Sequence, residues 1–63
     1  MNGKVKWFNR VKEFGFVTGE DGKDYFVHVS EIAPGARLDE GTEVTFEPAQ
    51  GDKGIKATKV AIK

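Results

Sequence analysis

The 63-residue sequence predicts an all-β fold made of short strands. Apolar residues alternate with polar or aromatic ones in five short runs, turn residues separate these runs, and no stretch has room for a real helix. A small open sheet would be poorly stabilised, whereas closing the strands into a barrel removes their exposed edges. We therefore expect a five-stranded antiparallel Greek-key barrel of the OB type.

Length and composition narrow the class of protein. The chain suffices for one small domain, 1–63, and contains no cysteine, which excludes disulfides, thiolate metal sites and a cysteine nucleophile. No apolar run is as long as a membrane span, and the N-terminus lacks the apolar stretch of a signal peptide. No catalytic motif or metal-ligand spacing is found. We expect a cytoplasmic monomer that is not an enzyme, needs no cofactor and does not bind membranes.

The formal net charge is zero, but the charges are unevenly distributed. Residues 1–12 carry four cations and no acid, residues 13–52 carry all ten acids and two cations, and residues 53–63 carry four lysines. If the first and last strands adjoin a binding face, the field there is positive while the far side repels phosphate. Ordinary solubilising charge is the alternative explanation.

The first predicted strand runs from Lys4 to Asn9, with Val5 facing inward, and a loop follows it. Trp7 and Phe8 are consecutive, and a regular strand cannot present both on one face. Either a bulge re-aims one of them, or one is in the core and the other is displayed. We expect Trp7 on the surface and Phe8 at the margin of the exposed face; the alternative is that Trp7 caps the core.

The next two strands form a hairpin and carry the main aromatic pattern. They cover 14–17 and 25–29, joined by a turn that contains Asp21 and Gly22, a pair that favours hairpin turns. Alternation places the phenylalanines and the histidine on one face. Exposed rings are typical of base stacking, and the alternative is that the rings form the core. The first face holds Phe14, Phe16, Phe26 and His28, and the opposite face holds Val17, Tyr25, Val27 and Val29.

The rest of the chain adds two strands and their connections. Ser30 is expected to N-cap a single helical turn. Val44 and Phe46 should face inward, and a shift in apolar spacing between Ala57 and Val60 predicts a bulge. In chain order, the elements are a helical turn over 30–33, a loop over 34–41, a strand over 42–47, a turn-rich loop over 48–54 and a strand over 55–62.

Three ordered motifs resemble the cold-shock domain family. They are Gly3 to Asn9, Phe14 to Val17 and Phe26 to Ser30, the last two being similar to the RNP1-like and RNP2-like motifs of that family. RNA-recognition motif domains share an RNP1 pattern, but they need two helices that this chain cannot supply. The resemblance covers nearly the whole chain. It implies an ATP-independent RNA chaperone that binds single-stranded RNA and DNA with little sequence preference.

The resemblance also implies which residues contact nucleic acid. A protein-interaction module that uses the same aromatic face is the alternative function. The lone histidine, with no cysteine and no clustered carboxylates, is a poor metal ligand. The implied interface consists of the stacking residues Trp7, Phe14, Phe16, Phe26 and His28, of Phe8 beside them, and of Lys6, Lys12 and Lys53 near the phosphates.

The chain departs from the family pattern at four places. Glu13 stands where a glycine is usual and puts an anion beside the rings. Val29 replaces a frequent aromatic residue, and the loop over 34–38 is shorter and lacks a phenylalanine that many members carry. Ile55 stands where a proline is common. We therefore expect the family's binding mode with a weaker affinity than is typical.

Overall fold

Five strands form a closed barrel in a computed structural model that describes residues 1–33, 35–51 and 54–63. One 3-10 turn, Val29–Glu31, follows the third strand, and no α-helix occurs in the described residues. No helix in these ranges is long and apolar enough to cross a membrane. The strands are β1 Asn2–Asn9, β2 Phe14–Gly19, β3 Asp24–His28, β4 Glu43–Gly51 and β5 Gly54–Ile62.

The order of strands around the barrel is β1-β2-β3-β5-β4, and β4 returns to pair with β1. All pairings are antiparallel except the one between β3 and β5, which is parallel and places Phe26 opposite Lys56. The predicted all-β barrel is thus confirmed. Strand β2 lies between its two hairpin partners, β1 and β3, and these three strands carry the aromatic residues of the predicted face.

The core is filled by the inward residues of all five strands, as the alternation predicts. Leu38, which the sequence places in a loop, is also buried. Ile55 and Ile62, apolar residues of β5, are instead exposed at 38% and 48%. The buried residues are Val5, Val17, Tyr25, Val27, Leu38, Val44, Phe46, Ala57 and Val60.

Bulges in β1 and β5 explain the two places where the sequence departs from regular alternation, at Trp7 and Phe8 and in the last strand. In β1, Val5 lies opposite Val17 while Trp7 lies opposite Phe16, so that Lys6 is an extra residue. Lys6 and Trp7 are therefore both exposed, as a bulge allows. In β5, the register with β4 shifts between Thr58 and Ala61, and Lys59 within this bulge adopts a left-handed φ of 52°.

Three local predictions are wrong. Val29 does not face the core, because β3 ends at His28 and the chain turns, which leaves Val29 40% exposed. Ser30 is not the N-cap of the turn. His28 is the N-cap, because its side chain accepts a hydrogen bond from the backbone N–H of Ser30. The loop predicted over 48–54 is largely strand, since β4 continues to Gly51. Pro48 is tolerated there because β4 pairs with β1 only over 43–45 and has a free edge beyond.

Candidate nucleic-acid interface

The outward residues of β1, β2 and β3 bring four aromatic rings together. Phe16 lies opposite Phe26 on one side and opposite Trp7 on the other, and Phe14 lies opposite His28. Directly opposed residues of paired strands share a face of the sheet. The register therefore puts all these side chains on the same surface of the barrel. Trp7 is 39% exposed, and the three phenylalanines are half-buried.

These rings touch one another in a continuous cluster, which we call the aromatic platform (Trp7, Phe14, Phe16 and Phe26). The centroid of Trp7 lies 5.7 Å from that of Phe14 and 5.3 Å from that of Phe16. Phe26 stacks on Phe14 at 5.6 Å with an interplanar angle of 28° and meets Phe16 edge-on at 5.8 Å. Mutual packing restrains the rings, so little conformational entropy is left to lose when a flat ligand binds.

Gly15 makes this arrangement possible. It lies between the two platform phenylalanines of β2 and is buried against β1. A β-carbon at this position would collide with the carbonyl oxygen of Trp7 and with the Cα atom of Phe8, 2.7 Å away. Only glycine allows β1 to approach β2 so closely and keeps Trp7 against the phenylalanines.

His28 extends the platform at the end of β3, and its tautomer is set by its neighbours. Its Nδ1 atom accepts a hydrogen bond from the backbone N–H of Ser30 at 3.1 Å and lies 2.9 Å from the Ser30 hydroxyl oxygen. Because a backbone N–H can only donate, Nδ1 must be the acceptor. In the neutral ring the proton is then on Nε2, which is free to donate to a ligand on this exposed side chain.

Lys6 lies at the edge of the platform but is paired with an acid. Its Nζ atom is 2.9 Å from Oδ2 of Asp24, and the hydroxyl of Thr18 donates to Oδ1 of the same carboxylate at 2.9 Å. These two donors, the lysine first, hold the pKa of Asp24 below its ordinary value of 3.8. Asp24 therefore stays ionised near neutral pH, and a phosphate that reaches Lys6 has to compete with it.

Three more residues are predicted to contact nucleic acid: Lys12, Phe8 and Lys53. Lys12 is exposed in the turn after β1, where its backbone N–H donates to Oδ1 of Asn9 at 3.0 Å. Phe8 is half-buried and packs against the core, on the opposite side of β1 from Trp7. Lys53 lies outside the described residues.

Glu13 has a backbone conformation that explains why glycine suits its position. Its φ is 62°, in the left-handed region that side chains disfavour. Its carbonyl oxygen accepts a hydrogen bond from the N–H of Val29 at 2.9 Å, which ties the turn before β2 to the end of β3. The residue is therefore strained and exposed, and it lies directly before Phe14 of the platform.

Two residues at this surface were not predicted from the sequence to belong to the site. Ile55 and Lys56 of β5 line an open cleft of about 640 Å³ together with Phe16 and Phe26. They arrive there because β5 runs parallel to β3. Parallel pairing between strands distant in the chain leaves no local pattern, so this proximity could not be inferred from spacing.

A closed five-stranded barrel with a ring cluster on β1, β2 and β3 defines a small OB-type domain with an aromatic surface. The 'Cold-shock' DNA-binding domain model matches residues 1–62 of this sequence. The chain belongs to the cold-shock domain family, whose members bind nucleic acids. The family resemblance of the sequence is thereby confirmed.

Similar proteins agree with this assignment. Cold shock protein 2 of Lactiplantibacillus plantarum is 57% identical over 61 residues, covering 94% of this chain and 92% of that protein. The major cold shock protein CspA of Pseudomonas aeruginosa is 48% identical over 64 residues, covering 98% and 93%. Among solved structures, Drosophila Unr CSD456 superposes with a TM-score of 0.77 at 20% identity, covering 98% of this chain and 26% of that one. The last similarity concerns the fold alone.

Proposed function

We propose that this chain, as a single domain, binds single-stranded RNA and DNA by stacking unpaired bases on the aromatic platform. The observation that supports this is the cluster of four mutually packed rings on the surface, with centroids 5.3 to 5.8 Å apart. Every base has a π-face, so stacking is tolerant of sequence and contributes about 1–3 kcal/mol per base. Binding with little sequence preference follows.

The lysines have a secondary role in this proposal. Lys6, Lys12 and Lys53 follow the phosphates, while His28 stacks on a base or donates a hydrogen bond from Nε2. The formal net charge of zero and the Lys6–Asp24 ion pair limit the electrostatic contribution. An exposed ion pair contributes about 0–1 kcal/mol, less than one stacked base. The rings therefore supply most of the binding free energy.

Such binding accounts for RNA chaperone activity without ATP. Bases held on the platform cannot pair with other bases. A weak hairpin that opens transiently is thus trapped open, and its equilibrium shifts by mass action. A hairpin labelled with a fluorophore and a quencher should brighten when the protein is added without nucleotide triphosphate. An unchanged signal at protein concentrations that saturate an unstructured strand would refute the chaperone role.

The binding itself is tested by titrating the protein with an oligothymidine and following the emission of Trp7. Stacking should quench the emission, and the logarithm of the association constant should fall with the logarithm of the salt concentration by about 0.7 per phosphate contact. The duplex of the same length is the control and should bind much more weakly. Emission that is untouched by single strands at low salt would refute the proposal and favour the protein-interaction alternative.

A further inference from the structure

Val11 is far more exposed than any other large apolar side chain in the described part of the chain. It is 93% exposed, whereas the next, Ile62, is 48% exposed and so is about half covered by the barrel. Val11 lies in the turn between β1 and β2, residues 10–13, in which all four residues are exposed. Single exposed apolar residues are common on soluble proteins, so exposure alone assigns no role to Val11.

The chemistry of the turn gives no reason for a valine. Turns favour glycine, proline, asparagine, aspartate and serine, which supply a special φ or a side-chain hydrogen bond to the backbone. Here that bond comes from Asn9, whose Oδ1 atom accepts from the N–H of Lys12 at 3.0 Å. A valine side chain cannot make such a bond, and at 93% exposure it contributes little burial. Neither the turn nor the core therefore requires an apolar residue at this position.

The turn is held beside one end of the aromatic platform. It begins after Asn9, which lies opposite Phe14 in the last pair of the β1–β2 ladder. It ends at Glu13, whose carbonyl accepts from the N–H of Val29 at 2.9 Å, just after β3. The turn is thus attached to all three strands that carry the rings. Val11, two residues beyond the last pair, lies past the Phe14 end of the platform.

Cations lie on both sides of Val11. Arg10 precedes it and Lys12 follows it, and with Glu13 the turn carries one net positive charge. Nη2 of Arg10 lies 3.2 Å from Oδ1 of Asp39, but the arginine side chain is 53% exposed, so its other donors are open to solvent. An apolar side chain between two cations suits a ligand that presents a flat apolar face with phosphates on both sides of it.

The end of a base-paired segment presents such a surface. The face of its last base pair is not covered by stacking, and one phosphate backbone runs along each side. Proteins that unstack bases commonly do so with an apolar side chain. We propose that the turn binds the junction between the single strand on the platform and an adjoining base-paired segment. Val11 contacts the terminal base pair, and Arg10 and Lys12 lie near the phosphates of the two strands.

This contact gives the turn a part in opening base pairs. A terminal pair that meets Val11 is next to the platform, so that a base released from the pair is taken up by the rings without leaving the protein. The inference rests on the proposed function, since the platform holds the unpaired strand. It adds a preference for duplex ends, which stacking of unpaired bases alone does not provide.

A hairpin with an oligothymidine tail tests this preference against the tail alone. Covering about half of a valine side chain is worth roughly threefold to tenfold in affinity, and the wild type should bind the tailed hairpin more tightly by that factor. Val11→Thr keeps the shape and the β-branching but replaces a methyl group by a hydroxyl. It should weaken binding of the tailed hairpin roughly threefold and leave the affinity for oligothymidine unchanged. Val11→Leu, which is still apolar, should retain the preference.

The direction of the tail is a second test. Because the turn lies at only one end of the platform, a strand that runs in its preferred direction can place the stem beside Val11 from only one of its own ends. The Val11→Thr effect is therefore expected with a 5′ tail or with a 3′ tail, but not with both. Ile62→Thr is the matched control and should change neither affinity. Ile62 lies opposite Val44, which pairs with Gly3 near the start of β1, away from the turn.

The outcomes are distinguishable. If the wild type binds oligothymidine but prefers neither tailed hairpin, the inference is overturned and the proposed function stands. The inference is also overturned if Val11→Thr weakens tail and hairpin equally, acts equally with both tail directions, or has no more effect than Ile62→Thr. If the wild type binds no single strand, the proposed function and this inference fail together. Unchanged thermal unfolding of each variant establishes that the exposed substitutions leave the barrel intact.

Discussion

Replacing Glu13 by glycine should make the protein both more stable and a tighter binder, for two separate reasons. The residue holds a φ of 62° and lies directly before Phe14 of the platform. A side chain in the left-handed region costs about 1–2 kcal/mol of stability, and glycine removes that cost. Glycine itself lowers the stability by about 0.5–1 kcal/mol, because it has more conformational freedom to lose from the unfolded chain. The difference leaves about 0.5–1 kcal/mol in favour of glycine. For a domain of this size, that raises Tm by about 2–8 °C.

The effect on binding comes from the charge. Two unit charges of the same sign at a separation of ~6 Å in water repel each other by about 0.7 kcal/mol. Removing the Glu13 carboxylate should therefore tighten the binding of a strand whose phosphate passes at about that distance by roughly threefold. Glu13→Gln separates the two effects, because it removes the charge and keeps the strained side chain. We expect Glu13→Gln to bind as tightly as Glu13→Gly but to unfold at the wild-type temperature. Glu13→Asn, whose side chain tolerates left-handed φ, should gain stability as well as affinity.

The assays are thermal unfolding without ligand and titration of Trp7 emission with an oligothymidine at low and high salt. The affinity gain should shrink at high salt, because exposed charges are screened. A Tm of Glu13→Gly below that of the wild type would refute the backbone reasoning. Wild-type affinity in Glu13→Gln, at low salt, would refute the charge reasoning and count against the placement of nucleic acid beside this residue.

Three further predictions concern the platform and the barrel that supports it. Phe26→Ala should weaken oligothymidine binding by about 1–3 kcal/mol in the same titration, and an unchanged affinity would contradict stacking on this ring. Gly15→Ala should lower the free energy of unfolding in urea by about 2–4 kcal/mol, because its β-carbon has no room against β1; a stable variant would show that β1 and β2 can separate. The hydroxyl of Tyr25 donates to Asp21 at 2.6 Å and lowers the pKa of that carboxyl from 3.8. This bond stabilises the fold above the ordinary carboxyl pKa and is lost as the pH falls through the lowered value, so the difference in Tm between wild type and Tyr25→Phe should shrink below pH ~4; a constant difference would contradict it.

Alternation along the strands predicted the barrel and grouped the rings on one face, but alternation alone left open whether that face was displayed or formed the core. It worked best on β2 and β3, where Val17, Tyr25 and Val27 are buried and the phenylalanines between them are not. It also indicated the anomaly of Trp7 and Phe8, which a bulge in β1 resolves. Local patterns determine such features because neighbours along a strand alternate between its two faces.

The errors arose where distant residues decide the structure. Val29 continues the apolar alternation of β3, yet the strand has already ended at His28. Two hydrogen bonds fix the end of the strand: the N–H of Ser30 donates to the imidazole of His28, and the N–H of Val29 donates to the carbonyl of Glu13. A pattern of apolar residues shows neither of these bonds. Leu38 is a single apolar residue in a polar segment and has no period to reveal it. Lys56 reaches the platform only through the parallel pairing of β3 and β5.

The pairing of Lys6 with Asp24 has the largest consequence for binding, and it too links residues 18 positions apart. The sequence shows a basic N-terminal segment, which would favour electrostatic capture of a strand. The structure shows that one of those cations is already neutralised at 2.9 Å. Because an exposed ion pair is worth about 0–1 kcal/mol and a stacked base about 1–3 kcal/mol, two stacked bases outweigh the loss of that lysine contact. A chain with no net charge can therefore hold a single strand through its rings, and its affinity should depend only weakly on salt.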